Sequence, residues 1–486
     1  VGSEMCIRDS RYSARAWEMV QHATVAPHDC VGTNIFAHVL RGTVKRIVPR
    51  TNEAINESWI PDRDRFSYEA IYSPDRLLRP RIKESGEWRD LDWEDALEAA
   101  ADALKAGNST GLLASPSATV EEGHLLSRLA DHLGTANIDH RIERRDFSDQ
   151  DNDPAFPWLG CSIAELEEQD AIFVIGSNIR QEAPILAHRI RKAALGGASV
   201  SFASSVEHEY FFDVDHYLSG SGLVDLLSGK GVEPILEKLS KADNALVLLG
   251  NIAGRDGAFS AIRALAAEIA DKAGAKLGTL SPGANSAGLS LAGVLPRGAD
   301  GQHAGAMLDE SHDTVMLLGV EPDADLYATE YAVAKLEKQR FVIALTPFVS
   351  DALLEAADLL LPVGTFAETS GTYVNVEGTW QSFAGVASPV GEARPAWKVL
   401  RVLGNLIDAE GFDYVTSEDV LEECESGLGD VVAESFAAGK SPRTNATDSS
   451  DGEIDTPLYS VDGLVRRARA LQLTPEARRA AAGGGD

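Results

Sequence analysis

Residues 170–203 read DAIFVIGSNIRQEAPILAHRIRKAALGGASVSFA, and this stretch decides the fold class. Ala171–Ile175 is five apolar residues without alternation, the pattern of a strand covered on both faces. Gly176-Ser177-Asn178 interrupts it with turn-forming residues. Pro184 suits the first turn of a helix, and apolar side chains then recur at helical spacing. Ala198–Phe202 is a second short apolar run. Strand, turn, helix and strand in that order make one unit of a parallel sheet.

Outward from there the unit repeats. Upstream lies Gly111–Ser115, followed by a helix with Leu126, Leu129, Ala130 and Leu133 on one face. Downstream come Ala245–Leu249, the turn Gly250-Asn251, an Ala-rich helix and Ala275–Leu280. A last copy runs Val315–Leu318, Gly319, a helix around Ala332–Leu336, then Phe341–Leu345. The class is α/β with several parallel-sheet βα domains. Nearer the start, Ile35–Leu40 and Val44–Val48 flank Arg41-Gly42-Thr43, a hairpin in a small β-rich N-terminal region. Asp92 is placed to cap a helix that Gly107 ends. Beyond Leu359–Leu361, Gly364–Phe383 is rich in Gly, Thr, Ser and Asn, so it reads as loop and short strand beside the strand ends. Ligand sites of open α/β sheets lie there.

The chain of 486 residues holds 44 Lys and Arg against 75 Asp and Glu, a net charge of −31. Such a surface repels phosphate backbones, which disfavours nucleic-acid binding. Apolar runs stop after a handful of residues, far short of the ~20 needed to insert in a membrane. Cys6, Cys30, Cys161 and Cys424 form neither a C-x-x-C motif nor a disulfide framework, which fits a reducing compartment. Val1–Ser10 (VGSEMCIRDS) reads as a non-native scar, and the absence of a starting Met leads us to expect a missing N-terminal piece. Between Asp408 and Asp455 there are 14 acidic and 2 basic residues, read as an acidic linker. Leu464–Leu473, with Arg466, Arg467 and Arg469, reads as a solvated helix, with docking on an acidic neighbour as the alternative.

Few residues suggest chemistry. Gly176-Ser177-Asn178 and Gly250-Asn251 occupy strand-to-helix turns, where backbone N–H groups and the helix dipole favour anions. Neither completes G-x-G-x-x-G, and no phosphate-loop motif occurs. Gly107–Gly111 matches G-x-S-x-G by letter, but its helix precedes the serine, the reverse of a nucleophile elbow. His22, His28, Asp29, Cys30 and His38 are the densest His/Cys patch, with no zinc spacing. Cys161 reads as a small buried side chain, and Glu121-Glu122 and Glu167-Glu168 as solvated helix faces. No catalytic residue is assigned.

Four stretches carry a resemblance: Ala26–Ile35 (APHDCVGTNI) with Arg46–Arg50 (RIVPR), Asn52–Phe66 (NEAINESWIPDRDRF), Asp170–Lys192, and Phe366–Gly378 (FAETSGTYVNVEG). The chain resembles, from Arg11 to Leu473, the G subunit of NADH-quinone oxidoreductase, respiratory complex I, in its part of the molybdopterin oxidoreductase (formate dehydrogenase-like) type. Relatives hold a four-iron cluster here on C-x-x-C-x-x-x-C and a later cysteine. Those positions fall on Ala26, Asp29, Thr33 and Pro61, none of them cysteine, and iron–sulfur clusters need thiolates.

The resemblance therefore implies no cofactor within this chain, with iron–sulfur clusters in an N-terminal part of the parent subunit. It implies a vestigial cleft shaped by Gly176, Ser177, Asn178, Glu368, Gly371, Thr372, Asn375, Glu377 and Gly378. It further implies a structural role in electron transfer from NADH to quinone, with other peripheral-arm subunits as partners. The location would be peripheral, on the cytoplasmic side of the bacterial inner membrane, without membrane insertion. The expected divisions are 1–10 scar, 11–80 the former cluster domain, 81–405 the α/β body, 406–460 the acidic linker and 461–486 a basic helix and tail. Two alternatives stay open: a molybdenum or tungsten bis-pterin oxidoreductase, and a nucleotide-binding module.

Overall fold

The computed structural model describes residues 14–327, 329–437 and 459–483. The suspected scar at Val1–Ser10 and residues 438–458 of the acidic stretch lie outside the described residues.

An antiparallel sheet opens the chain, with β1 (Val20–Val25), β2 (Asn34–Leu40) and β3 (Thr43–Pro49) in that order. Leu40 pairs with Thr43, so the turn between β2 and β3 is the two residues Arg41 and Gly42. Both take positive φ, 53° and 76°, which matches the twist of a hairpin. Thr43, read from sequence as part of the turn, belongs to the strand.

Next come β4 (Arg81–Glu84), β5 (Glu87–Asp90), β6 (Thr110–Ala114) and β7 (Ile138–Asp139). The chain then leaves this sheet and builds a second one from β8 (Ala171–Ile175), β9 (Ser199–Ala203), β10 (His216–Leu218), β11 (Ala245–Leu249) and β12 (Lys276–Thr279). It returns to the first with β13 (Thr314–Leu318), β14 (Val342–Thr346) and β15 (Leu359–Pro362). The second sheet is wholly parallel in the order β10-β9-β8-β11-β12. The first has the order β5-β4-β15-β14-β13-β6-β7, parallel from β15 to β7 with an antiparallel hairpin at its edge. A last hairpin, β16 (Gly371–Val374) with β17 (Trp380–Phe383), stands apart.

Every residue of β6, β8, β11, β13, β14 and β15 is buried, which is why the strands lack alternation. Each fully buried Leu, Ile, Val or Phe contributes roughly 1.5–3 kcal/mol over its exposed state, so these central strands anchor both cores. Asp92 caps the helix Trp93–Ala106 by accepting from Asp95 N at 3.0 Å.

Three readings need correction. Glu121 and Glu122 are buried, at 2% and 7% exposure, not solvated. Part of the acidic stretch is folded: helix Ser417–Leu428 buries Val420 and Cys424 against the helix Val120–Leu133. Arg466 and Arg467 dock on carboxylates of the body, Asp325 and Glu321, which is the alternative reading of that stretch and not a solvated helix. No helix among the described residues is long and apolar enough to cross a membrane.

Candidate functional site

A chain that starts a sheet in its middle and adds strands on both sides leaves a crevice at the carboxyl ends of the diverging strands. Here β8 has β9 on one side and β11 on the other, while β6 has β7 and β13. Three cavities of about 140, 50 and 140 Å³ lie in a row along them. The outer one touches Arg141, Arg144, Arg263 and Phe259, and shares Glu143, Asn251, Arg255, Ser281 and Pro282 with the middle one. The middle one shares Ser115, Ser117, Gly319, Asp462 and Gly463 with the third.

Glu182 closes the anion-favouring turns. Its carboxyl accepts from the backbone N–H of Asn178 at 3.0 Å and of Asn251 at 2.9 Å, tying the β8 and β11 turns together. Gly176 permits this approach: its φ is +57°, and a Cβ there would meet Ala253 at 2.7 Å. Burial pushes the Glu182 carboxyl up, and the two amides pull it partly back. A phosphate sought at these turns would have to displace this side chain.

Beside the middle cavity, residues 26–33 and the helix Asp62–Phe66 bring together a buried charge cluster. Asp29 ion-pairs with Arg63, whose Nη1 and Nη2 donate to the carbonyls of Gln181 and Glu182 at 2.9 and 2.8 Å. His28 contacts Asp462 through Nδ1 at 2.5 Å and Ser67 Oγ through Nε2 at 2.6 Å. Burial alone lowers the His28 pKa; the Asp462 carboxylate overrides it and leaves the group above its ordinary value. The oxygens of Asp64 find no donor among the described residues. Burial, with Asp29 nearby, pushes its carboxyl up to about 7. Ala26, Thr33 and Pro61 are also buried; Ala26 N donates to Thr33 O at 2.9 Å, and Pro61 precedes the helix that carries Arg63. His38 accepts from Arg46 Nε at 2.9 Å, and His22 is exposed on β1. Among the described residues no three His, Cys, Asp or Glu side chains gather where a metal could be held.

The loop Glu368–Gly378 distributes its residues over several places. Glu368 forms a buried bidentate pair with Arg76 at 2.8 and 3.1 Å. Gly371 lies so close to Thr119 that a Cβ would meet its Cγ2 at 2.3 Å. Thr372 donates through N and Oγ1 to Glu121, both at 2.8 Å. Asn375 donates to Val31 O at 3.0 Å, and Glu377 accepts from Ile163 N at 2.7 Å. Gly378, at φ +89°, lines a separate surface pocket with Phe156 and Trp380. Thr369 and Tyr373 are the residues of this loop that reach the strand-end cavities, in the third of them. The turn at Gly176 meets the neighbouring turn at Gly250 instead.

Residues 76–406 match the profile described as molybdopterin oxidoreductase. The chain belongs to the molybdopterin oxidoreductase family. Residues 21–69 match a second profile, the NADH-ubiquinone oxidoreductase NDSU1/NuoG-like 4Fe-4S domain. Similar proteins include the NADH-ubiquinone oxidoreductase 75 kDa subunit of Reclinomonas americana, 27% identical over 84% of this chain and 60% of the relative. The mitochondrial 78 kDa subunit of Candida albicans is 27% identical over 82% of this chain and 54% of the relative. The G subunit of the NADH-quinone oxidoreductase of Rickettsia conorii is 27% identical over 82% of this chain and 57% of the relative. The chain thus spans little more than half the length of these relatives. Acetylene hydratase from Pelobacter acetylenicus shares the fold, with a TM-score of 0.56 at 15% identity over 84% of this chain and 73% of that one.

The second match corrects one expectation, that the chain holds no cofactor of its own. Residues 21–69 are an iron–sulfur domain by family, so an iron–sulfur element is indicated within the chain. Its thiol there is Cys30, buried, with a pKa pushed up to about 12 by burial and then by Asp29. The remaining former ligand positions offer Asp29, engaged by Arg63, and Thr33. This donor set does not match the four thiolates that hold a four-iron cluster.

The family name also implies a pterin cofactor. The strand-end cleft as it stands does not fit one, because the chain's own groups occupy it, with residues 461–464 lining two of its cavities. The amides that would face phosphate already serve Glu182. Sequence reasoning missed both Glu182 and the His28–Asp462 contact. Glu182 stands four residues after Asn178, a spacing with no motif attached, and Asp462 lies 434 positions from its partner.

Proposed function

We propose that this chain is a structural portion of an NADH:quinone oxidoreductase subunit, its α/β body holding electron-carrying neighbours in place. The observation that carries the reading is the strand-end cleft occupied by the chain's own groups, Glu182 on the anion turns and residues 461–464 along two of the cavities. Carboxylates held by buried donors, as Glu182 is by two backbone amides, favour rigidity over turnover. The family's relatives named as complex I subunits support a role in electron transfer. On this reading the partners are other peripheral-arm subunits, and the location is the cytoplasmic face of a bacterial inner membrane. Residues 11–80 act as the iron–sulfur-type domain and 81–405 as the body, with the Gly176–Asn178 turn, now closed by Glu182, as the remnant of an anion-binding turn.

Two measurements test it. The purified chain should show no NADH–ferricyanide turnover above a heat-killed control and no molybdenum or tungsten by elemental analysis. Deleting the region corresponding to Arg11–Leu473 from the parent subunit should abolish assembly or activity of the complex. Stoichiometric molybdenum, or a fully active complex after the deletion, refutes the structural role.

A further inference from the structure

Residues 459–473 reach into the cleft from the C-terminal side. Asp462 caps the helix Gly463–Arg467, its Oδ1 accepting from Leu464 N and Val465 N at 2.9 Å each, while Oδ2 contacts His28. Gly463 sits where a Cβ would meet Glu321 Oε1 at 2.5 Å. Arg467 grips Glu321 with two parallel contacts of 2.8 and 3.0 Å, and its Nε reaches Asp75 at 3.2 Å. Its guanidinium lies 4.5 Å above the Phe348 ring. Arg466 donates to Asp325 at 2.9 Å. Val465, Ala468 and Leu471 are at most 1% exposed and pack with Phe66, Tyr459 and Val461. Ala470 N donates to Glu69 at 2.8 Å.

These contacts fall into two groups. His28 and Glu69 lie in the N-terminal stretch that matches the iron–sulfur domain, whereas Glu321, Asp325 and Phe348 belong to the body. One short segment holds both. Its helices, Gly463–Arg467 and Arg469–Gln472, are far below the roughly 12–15 residues at which a helix is even marginal alone. The segment therefore owes its conformation to the surface it lies on.

We propose that residues 459–473 form a detachable clasp that closes the strand-end cleft and fastens residues 21–72 to the α/β body. The surface beneath it, with carboxylates at Glu321, Asp325 and Asp75 and an imidazole at His28, is a receptor for a short basic helix opening on Asp-Gly. This inference stands apart from the electron-transfer reading, because it concerns the cleft's closure whatever the parent enzyme does.

The test uses the full chain with a site-specific protease sequence inserted between Ala446 and Thr447, cut after folding. The C-terminal fragment should co-elute with the body on gel filtration at physiological salt. Arg467→Glu sets a carboxylate against Glu321 and Asp75 and should weaken retention about 100-fold or more. Adding Glu321→Arg to Arg467→Glu should restore retention in part. Release should raise amide exchange at Ser115, Ser117 and Gly319, with β8 and β11 exchanging as in the uncut protein, so that unfolding is distinguishable from opening. The clasp is refuted if the wild-type fragment separates on cutting, or if Arg467→Glu holds as tightly. It is equally refuted if the reversed pair fails to restore retention in a native fold, or if strand-end exchange is unchanged after release.

Discussion

The pair Arg76–Glu368 ties the segment just before β4 to the loop that follows β15, and its removal has a calculable cost. Both side chains are at most 1% exposed, and the two contacts are 2.8 and 3.1 Å. Glu368 also accepts from Thr365 N at 2.7 Å, Thr365 Oγ1 at 2.8 Å and Val390 N at 2.7 Å. Beyond Glu368, Arg76 donates to Ile71 O at 3.2 Å and faces the Phe348 ring at 5.6 Å. Breaking a buried pair from one side costs about 3–5 kcal/mol, because the remaining charge is uncompensated. The two sides differ. In Arg76→Leu the carboxylate keeps three donors and can take up a proton, so about 3 kcal/mol is expected. In Glu368→Leu the guanidinium keeps one carbonyl and cannot lose its proton, so about 4–5 kcal/mol is expected. The double replacement leaves no buried charge and should cost about 4 kcal/mol, well under the sum, a coupling of about −3 to −4 kcal/mol. A chain of two interleaved sheets does not guarantee all-or-none unfolding, so the assay is native-state hydrogen exchange, read at the amides of Thr365 and Val390, which donate to Glu368. Single replacements each below about 1 kcal/mol, or strictly additive effects, would refute the reasoning.

Two further outcomes are expected. Burial raises the Glu122 carboxyl from about 4.5 to about 7, so its contribution to stability is fully present below pH 4.5 and declines as pH rises through 7. Glu122→Gln preserves the capping interaction with Thr119 N and should flatten that decline, with up to about 3 kcal/mol of gain at pH 8 and little change at pH 4.5; an unchanged slope contradicts it. Cys161 and Cys424, buried with thiols pushed up to about 12, should resist iodoacetamide at pH 8 until the chain unfolds, and rapid labelling of the native protein by mass spectrometry would show otherwise.

What the sequence determined alone was local. Unalternating runs such as Ala171–Ile175 and Leu359–Leu361 declare strands buried on both faces, and residue types such as Asp92 and Gly42 declare a cap and a turn, because these effects operate within a few bonds or one turn of chain. Those signals sufficed for the α/β class, for the strand–helix order and for the hairpin. They did not say which strand pairs with which. β6 lies beside β13, across about 200 residues, because β8–β12 form a separate sheet in between, and in the sequence both sets share one pattern. The same distance conceals the site. Glu121 and Glu122 look solvated until β16 and the loop before it cover them, and Arg466 and Arg467 look like a soluble tail until Glu321 and Asp325 lie opposite. A carboxylate's role depends on its desolvation and on the donors it faces, and both are supplied by segments hundreds of positions away. Only the folded chain brings Glu182 onto two anion-favouring turns at once, and so decides that the cleft at the strand ends is closed by the protein itself.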